Sequence, residues 1–401
     1  MAVDEAPLQV YSAALLSLPK KSHVRMRFKH EIPKWISLMP TARGKWDACL
    51  STLGDHGSLV ESVTLSSDSK MMISTEIHGK IRVWNTDTGE CRAVIQGRRA
   101  ALSHDFAMVA SAGEYAENRT IRICSTETGE CKMVLQGHTG IVESIAFSHD
   151  SRLLASGLDS GDIWVWNLQT RKPEHILKGH DMRVQLLTFS HDSCLLASVS
   201  MDEKIRMWRT GTGECGRVLS SHGVGVISLI FSHDSELIAL AEINHSSVRI
   251  WRTGAGEYEH ILDTCLGYSC KPFMAFSHDS KMMALSTKFG MVYHGVQLWN
   301  LDTGEFIRSL KGHSLPVSSV AFSHDSRVVA SGSVDTTIRI WCIDTGECNQ
   351  ILRGHTGRVD TMAFSHTSKV IVSGSADGTI RIWAIGAEYE SKRRVDGRYK
   401  E

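Results

Sequence analysis

Hydrophobic and polar residues alternate along this chain in short runs that return at a regular interval. In the clearest copy, Val317-Ser-Ser-Val-Ala-Phe and Ile338-Arg-Ile-Trp show the two-residue period that is typical of β-strands. Between such runs lie His324-Asp-Ser and Asp344-Thr-Gly-Glu, whose short polar side chains and glycine favour tight turns. We therefore predict that each copy forms four strands, which in this one are 317–323, 328–332, 337–341 and 347–352.

The same pattern recurs along most of the chain. Phe-Ser-His-Asp at 322–325 returns at 147–150, 189–192, 231–234 and 276–279. An aromatic residue closes the third strand of each copy, and a cysteine takes its place once. These closing positions are 40 to 48 residues apart: Trp84, Cys124, Trp166, Trp208, Trp251, Trp299, Trp341 and Trp383. A period in the low forties predicts propeller blades, so we expect an all-β propeller of eight four-stranded blades.

The end of a repeat also occurs before the first repeat begins. Residues 46–54 match Cys348-Asn-Gln-Ile-Leu-Arg-Gly, which ends the clearest copy. Closed propellers remove their free edge when a strand from one terminus completes the blade built by the other. We predict that 47–53 is the outer strand of the blade built from 358–384. The predicted organisation is a linker with short helices at 1–45, a propeller at 46–385 and a charged flexible tail at 386–401.

Composition limits the classes of partner. The 401 residues include 44 Lys and Arg and 44 Asp and Glu, so the net charge is zero. A general nucleic-acid binder would normally carry a basic surplus, so we expect no nucleic acid. No run of about eighteen apolar residues occurs, which predicts no transmembrane segment. The first residues are acidic, which makes a signal peptide a poor interpretation.

The cysteines and histidines are mostly copies of single repeat positions. Cys91, Cys131, Cys215 and Cys348 all follow Gly-Glu, and nothing shows the spacing of a zinc site. We expect free, mostly buried thiols in a reducing compartment, hence a cytoplasmic location, with peripheral attachment to an organelle membrane through partners left open. Seven of the 20 histidines occupy the Ser-His turn and six open repeats, so we predict no metal and no cofactor.

The repeats resemble the WD-repeat propeller family. The resemblance rests on Gly-His opening a unit, an Asp after the second strand and a Trp closing the third, and it covers about 46–385. The Asp of the family's closing dipeptide is absent throughout, since the pairs read Trp-Asn, Trp-Arg, Trp-Cys or Trp-Ala. Seven is the family's commonest blade number. Seven blades with a loosely attached second unit is therefore the structural alternative.

A narrower resemblance covers residues 8–53. Val10-Tyr-Ser-Ala, Pro33-Lys-Trp-Ile and Trp46-Asp-Ala-Cys-Leu are similar to the segment that precedes the propeller in fungal NACHT–WD-repeat proteins of the heterokaryon-incompatibility type. Those proteins carry an NTPase, whereas no Gly-x-x-x-x-Gly-Lys-Ser/Thr motif occurs in this sequence. The resemblance implies the sensor part of such a protein without its NTPase.

Three units contain a Ser/His/Asp set that invites a hydrolase interpretation. A catalytic site is built once, however, and three copies at one repeat position argue for a structural role. The resemblance implies buried hydrogen-bonded tetrads that tie the loop before the first strand to the second and third strands. The tetrads are His180, Ser198, Asp202 and Trp208; His313, Ser331, Asp335 and Trp341; and His355, Ser373, Asp377 and Trp383.

Two units depart from the repeat, and we expect them to be the least stable. The second has lost its Gly-His segment, and the sixth replaces it with Leu266-Gly-Tyr-Ser-Cys-Lys-Pro272. In the resembling family, the loops that precede the first strand and follow the second form one partner-binding face. Aromatic residues and Arg dominate interface energetics. The candidate residues on that face are Ile141, Met182, Arg183, Leu315, Pro316, Arg358, Tyr115, Asn244, His245, Phe289 and Tyr293.

These patterns favour a non-enzymatic scaffold or recognition module that binds protein partners. The first alternative is a WD-repeat adaptor in a multiprotein complex such as the mitochondrial-division machinery. Such adaptors carry a coiled coil ahead of the propeller, and 1–45 shows no sustained heptad. A hydrolase built on the Ser/His/Asp sets is the least favoured alternative.

Overall fold

The computed structural model describes residues 48–385, apart from positions 55, 67, 78 and 98 and the segments 114–118, 221–225, 243–246, 255–257, 264–272 and 290–292. The predicted linker at 1–45 and tail at 386–401 lie outside the described residues, so both remain predictions. Every regular element within the described part is a β-strand. No helix there could span a membrane.

Eight separate four-stranded sheets follow one another along the chain, and we number them as blades. Blade 1 contains β2 (Val60–Leu65), β3 (Met71–Glu76), β4 (Lys80–Asn85) and β5 (Cys91–Gln96). Blade 2 contains β6 (Arg99–Leu102), β7 (Met108–Ala112), β8 (Ile121–Ser125) and β9 (Cys131–Leu135). Blade 3 contains β10 (Val142–Phe147), β11 (Leu153–Leu158), β12 (Ile163–Asn167) and β13 (Lys172–Leu177).

The middle of the chain forms the next three blades. Blade 4 contains β14 (Val184–Phe189), β15 (Leu195–Ser200), β16 (Lys204–Arg209) and β17 (Cys215–Ser220). Blade 5 contains β18 (Val226–Phe231), β19 (Leu237–Glu242), β20 (Ser247–Arg252) and β21 (Tyr258–Asp263). Blade 6 contains β22 (Met274–Phe276), β23 (Met282–Phe289), β24 (Tyr293–Asn300) and β25 (Phe306–His313).

The last two blades confirm the predicted closure. Blade 7 contains β26 (Val317–Phe322), β27 (Val328–Ser333), β28 (Ile338–Cys342) and β29 (Cys348–Leu352). Blade 8 contains β30 (Val359–Phe364), β31 (Val370–Ser375) and β32 (Ile380–Ala384), with β1 (Cys49–Leu53) as its outer strand. The prediction of eight blades is confirmed, and the seven-blade alternative is wrong because β6 to β9 form a complete sheet.

The four strands of a blade, called a to d in chain order, pair antiparallel, and the core lies between blades. In one cluster, Ile163 and Val165 of blade 3 pack with Val184, Leu196 and Trp208 of blade 4. Strand b is buried on both faces, which explains its run of small and aliphatic residues. Because the strands run antiparallel, the d–a and b–c loops share one face of the ring, and the a–b and c–d turns share the other.

Strand d is the outer edge of each blade, and this corrects the prediction that the cysteines are mostly buried. Cys91, Cys131 and Cys215 begin strands β5, β9 and β17 and are exposed. A residue at the start of an edge strand has a packing partner on one side only, so its side chain remains accessible. These thiols are free, as predicted.

Candidate functional site

Blade 7 contains the most regular of the predicted tetrads. His313, at the end of β25, reaches from the d–a loop to Asp335 in the b–c turn, with 2.9 Å between Nδ1 and Oδ2. Its Nε2 lies 2.8 Å from Oγ of Ser331, which also accepts a 2.8 Å hydrogen bond from the indole N–H of Trp341. A carboxylate only accepts, so Nδ1 donates to Asp335 and the serine donates to Nε2.

Blades 4 and 8 repeat this arrangement. The Nδ1–carboxylate distance is 2.9 Å from His180 to Asp202 and 3.0 Å from His355 to Asp377. The remaining bonds join these histidines to Ser198 and Ser373 at 2.8 and 2.7 Å, and those serines to Trp208 and Trp383 at 2.8 Å. Each histidine lies at or just after the end of strand d of one blade and binds the serine of strand b and the aspartate of the b–c turn in the next. The networks therefore join consecutive blades.

Electrostatics hold these networks in one protonation state. Burial by itself would raise the pKa of Asp335, but hydrogen bonds from His313 and Thr337 outweigh it and hold that pKa well below its usual range. Burial lowers the pKa of His355, and Asp377 only partly offsets this. In blades 4 and 8, where burial lowers the pKa of His180 and His355, the stable form is therefore a neutral imidazole beside a carboxylate.

The three serines are badly placed for nucleophilic catalysis. Ser198, Ser331 and Ser373 have no exposed surface. Each hydroxyl also accepts the indole N–H of its tryptophan. A nucleophilic serine must present its oxygen to a substrate. In the structure, the tetrad side chains instead satisfy one another's hydrogen-bonding groups in the core.

Blade 1 contains an equivalent network that the sequence pattern did not reveal. Glu76, at the end of strand b, accepts hydrogen bonds from His56 Nδ1 at 3.0 Å, Ser58 Oγ at 3.0 Å and Arg82 Nε at 2.9 Å. Burial would raise the pKa of Glu76, but the bonds from Arg82, His56 and Ser58 lower it overall. The network ends, as in blade 7, on Ser74 and the closing tryptophan, 2.8 Å apart.

Blade 5 uses the same substitution. Glu242 ends β19 at the position of Glu76, and its carboxylate lies 3.6 Å from the guanidinium of Arg249, with both side chains buried. The sequence signal was available. Glu76 and Glu242 stand where two of the regular units have Ser200 and Ser333, although the serine position itself is Ser74 in unit 1 and Leu240 in unit 5.

Blade 3 keeps the histidine but lacks the carboxylate. His138 Nδ1 donates to the backbone carbonyl of Arg119 at 3.0 Å, and Nε2 lies 3.0 Å from Ser156 Oγ. Ser160 stands at the position of the tetrad Asp. The nearby Asp159 accepts the backbone N–H of Ile141 at 2.9 Å instead.

Blades 2 and 6 differ most, as the sequence indicated. In blade 2, Cys124 replaces the tryptophan, and Ser111 Oγ and Arg122 Nη2 both donate to the carbonyl of Gln96, at 3.4 and 2.9 Å. In blade 6, the indole N–H of Trp299 donates to Gln297 on its own strand at 3.3 Å.

The candidate face divides into two groups of exposed residues. Ile141, Met182 and Arg183 precede strand a of blades 3 and 4, where Ile141 is 38% and Met182 49% exposed. We call these three residues the blade 3–4 patch. The second group lies on blades 7 and 8, so two blades separate the groups in each direction and they lie on opposite sides of the ring.

The second group, the blade 7–8 patch, contains Leu315, Pro316, Val334 and Arg358. Leu315 is 44% exposed, and Arg358 is exposed and forms a 2.9 Å ion pair with Asp360. Val334 was not among the sequence candidates. Its backbone N–H donates to the carbonyl of Pro316 at 2.9 Å, which places this 36% exposed valine beside the d–a loop. Tyr115, Asn244 and His245 lie outside the described residues, as do the side chains of Phe289 and Tyr293.

Comparison with known families agrees with this geometry. The family described as WD40, WD domain, G-beta repeat, matches residues 47–85, 129–167, 171–209, 304–342 and 346–384. Eight four-stranded blades together with these repeats make the chain a WD-repeat β-propeller. Such propellers typically serve as protein-interaction modules and are generally non-catalytic.

Two curated proteins are similar over part of the chain. The vegetative incompatibility protein HET-E-1 of Podospora anserina is 39% identical over 89 residues, which is 22% of this chain and 7% of that protein. Human apoptotic protease-activating factor 1 is 30% identical over 127 residues, 30% of this chain and 10% of that protein. The chain therefore matches a tenth or less of either relative's length.

A solved structure supports the fold. The crystal structure of the computationally designed Ika8 protein superposes with a TM-score of 0.68 at 26% sequence identity. The superposition covers 83% of this chain and 98% of the designed one.

Proposed function

We propose that this chain is a non-enzymatic recognition module that binds a protein partner through the face formed by its d–a and b–c loops. The observation that carries the proposal is the pair of exposed patches on that face. Each combines aliphatic side chains with an arginine, at 38% and 49% exposure in the first and 36% and 44% in the second. Methionine and arginine are enriched in protein–protein interfaces relative to the rest of the surface, and arginine is enriched among the residues that dominate binding energy.

The finer proposal is that the module is the sensor part of a fungal recognition protein. The match to HET-E-1, 39% over 89 residues, supports it. The partner would then be a protein whose presence the propeller reports. A cytoplasmic location belongs to the same proposal.

The test compares two variants of blade 4. Met182→Ser/Arg183→Ser removes the blade 4 part of the blade 3–4 patch, whereas Val218→Thr changes a 47% exposed residue on the outer strand of the same blade. We expect proximity labelling to lose specific partners with the first variant and keep them with the second. Both should unfold within about 0.5 kcal/mol of the parent, because exposed side chains contribute little to stability. Partner capture that survives Met182→Ser/Arg183→Ser, and equally survives loss of the blade 7–8 patch, would exclude this face.

The hydrolase alternative has its own experiment. A serine-directed probe should label none of the tetrad serines, because each is fully buried. Covalent labelling of Ser198, Ser331 or Ser373 in the folded protein would contradict the non-enzymatic proposal.

A further inference from the structure

The face opposite the candidate binding loops carries a continuous row of histidines. Seven a–b turns contain one, and the rings of consecutive blades stack from blade 2 to blade 8. Successive ring centroids lie 3.5, 4.1, 4.6, 4.0, 3.5 and 3.7 Å apart. We call these residues the turn histidines: His104, His149, His191, His233, His278, His324 and His366.

A second contact repeats beside the stacked rings. The backbone N–H of Asp150 donates to Oγ of Ser193 in the next blade at 3.1 Å, and that serine adopts a left-handed conformation with φ 60°. The same bond, between 3.1 and 3.3 Å, joins every consecutive pair from blade 2 to blade 8. The a–b turns therefore hold neighbouring blades together at one end of the propeller.

Both the stacking of the turn histidines and the hydrogen bond from the Asp backbone to the Ser hydroxyl are interrupted at blade 1. Its turn has Ser67 where the other blades have histidine. Oγ of Ser69, which would accept from blade 8, is buried and has no partner among the described residues. On its other side, blade 2 has Phe106 in place of the accepting serine. Among the described residues, neither contact of this row continues on either side of blade 1.

The turn histidines are poorly placed to carry charge. Nδ1 of His149, His191 and His233 is buried without a hydrogen-bond partner among the described residues. Within those residues no group of three or more His, Cys, Asp or Glu is arranged to hold a metal ion. Protonation of any of these three rings would therefore place its new N–H beside other imidazoles, with no acceptor among the described residues, which costs free energy.

We propose that the turn histidines form an acid-sensitive clasp, which joins blades 2 to 8 while neutral and lets the ring open beside blade 1 when they gain protons. Burial, followed by the neighbouring histidines, lowers the pKa of His149 to about 3 and those of His191 and His278 to about 4. Two kinds of group oppose this shift and raise the histidine pKa values too little to compensate. They are the backbone of Ser232 beside His191 and of Ser277 beside His233, and the carboxylates of the same or the next turn: Asp105, Asp150, Asp234, Asp279 and Asp325.

The direction of the pH effect follows from these shifts. A histidine whose folded pKa lies below its ordinary 6.5 binds its proton more readily in the unfolded chain. Its contribution to stability is complete above pH 6.5 and is lost as the pH falls from there toward the folded pKa. At pH 5, protonation of His149, His191 and His278 should each raise the unfolding constant on the order of 10-fold, after allowance for solvent screening.

The test uses His149→Asn/His191→Asn/His278→Asn, which removes three titrating rings from the clasp. Urea unfolding at pH 7.5 and pH 5 should show that the acid penalty of the parent shrinks on the order of 10-fold per ring replaced. The control, His260→Asn, replaces a histidine of an outer strand whose Nε2 donates to the carbonyl of Leu301, and it should keep the full penalty. An acid penalty equal in all three proteins would overturn the proposal.

A second measurement needs no variant. Hydrogen exchange of the parent at pH 5, corrected for intrinsic rates, should show β2 and β30 losing protection before the strands of blades 4 and 5. Loss of protection that begins in blades 4 and 5, or that is uniform around the ring, would exclude opening beside blade 1 even if the triple variant does not fold.

Discussion

Blades 7 and 1 each hold a buried histidine against a carboxylate, and they take that carboxylate from different places in the chain. In blade 7, Asp335 extends from the b–c turn, and its oxygen lies 2.9 Å from His313. In blade 1, Glu76 extends from the last residue of strand b and reaches His56 at 3.0 Å. Glu76 stands two residues earlier in its repeat than Asp335 does, and the additional methylene of glutamate allows its carboxylate to reach the histidine from there.

The two solutions differ in what else they bind. The histidine–serine contact is 2.8 Å in blade 7 but 3.4 Å in blade 1. In return, Glu76 gains the guanidinium of Arg82 at 2.9 Å. In both blades, therefore, a carboxylate oxygen lies within hydrogen-bond distance of Nδ1 of the histidine, although the residue that supplies it differs. Blade 1 pays for its different residue with a looser serine contact and offsets that with an ion pair.

The largest predicted effect is the loss of stability when the histidine is removed, and that loss should differ between blade 7 and blade 1. His313→Ala leaves Asp335 buried with only Thr337 and backbone donors, so we expect a loss of about 3 kcal/mol in the free energy of unfolding. His56→Ala should cost less, about 2 kcal/mol, because Arg82 still pairs with Glu76. Urea unfolding followed by tryptophan fluorescence measures both. An unchanged melting curve for His313→Ala would contradict the structural role of the tetrad.

The pH dependence of stability that arises from blade 7 should follow the ionisation of the Asp335 carboxyl group. The pKa of Asp335 lies below its ordinary 3.8, so its contribution to stability is present above pH 3.8 and is lost as the pH falls below it. Asp335→Asn should therefore be less stable than the parent by about 1 kcal/mol at pH 6.5, after allowance for screening. That difference should shrink as the pH falls below 3.8 and close only when Asp335 is protonated in the folded protein as well. Asp344→Asn, an exposed residue of the same blade, is the control and should match the parent at every pH.

The smallest effect should come from repairing blade 3. Ser160→Asp places a carboxylate at the position of Asp335, where it can replace the Arg119 carbonyl as the acceptor for His138. We expect a gain of about 0.5 kcal/mol, the net value of a typical hydrogen bond. Ser160→Asn, which has the same shape without the charge, serves as the comparison in thermal unfolding. A stability gain shared by both variants would show that charge at this position is irrelevant.

The sequence predicted the blade count, the closing strand and the strand bounds in blade 7 to within one residue, because period and turn chemistry are local signals. It did not predict Glu76 or Glu242 as network members. Alignment of repeats compares positions along the chain, whereas a long side chain can reach the same point from another position. The exposure of Cys131 was missed for a related reason, since strand identity alone does not reveal which edge is open.

The closing strand has a consequence for the time course of folding. β1 belongs to the same sheet as β30 to β32, at the other end of the chain. The neighbouring blade 1 also contacts blade 8, since the backbone N–H of Val63 in β2 donates to Oγ1 of Thr361, 298 positions away in sequence. The other blades are built from strands adjacent in the chain, so their contacts are local. Pairings between distant segments bear the largest loop-closure entropy and form slowly. During synthesis, blades 1 to 7 can assemble as an open arc, and β1 must wait for the last three strands before the circle is complete.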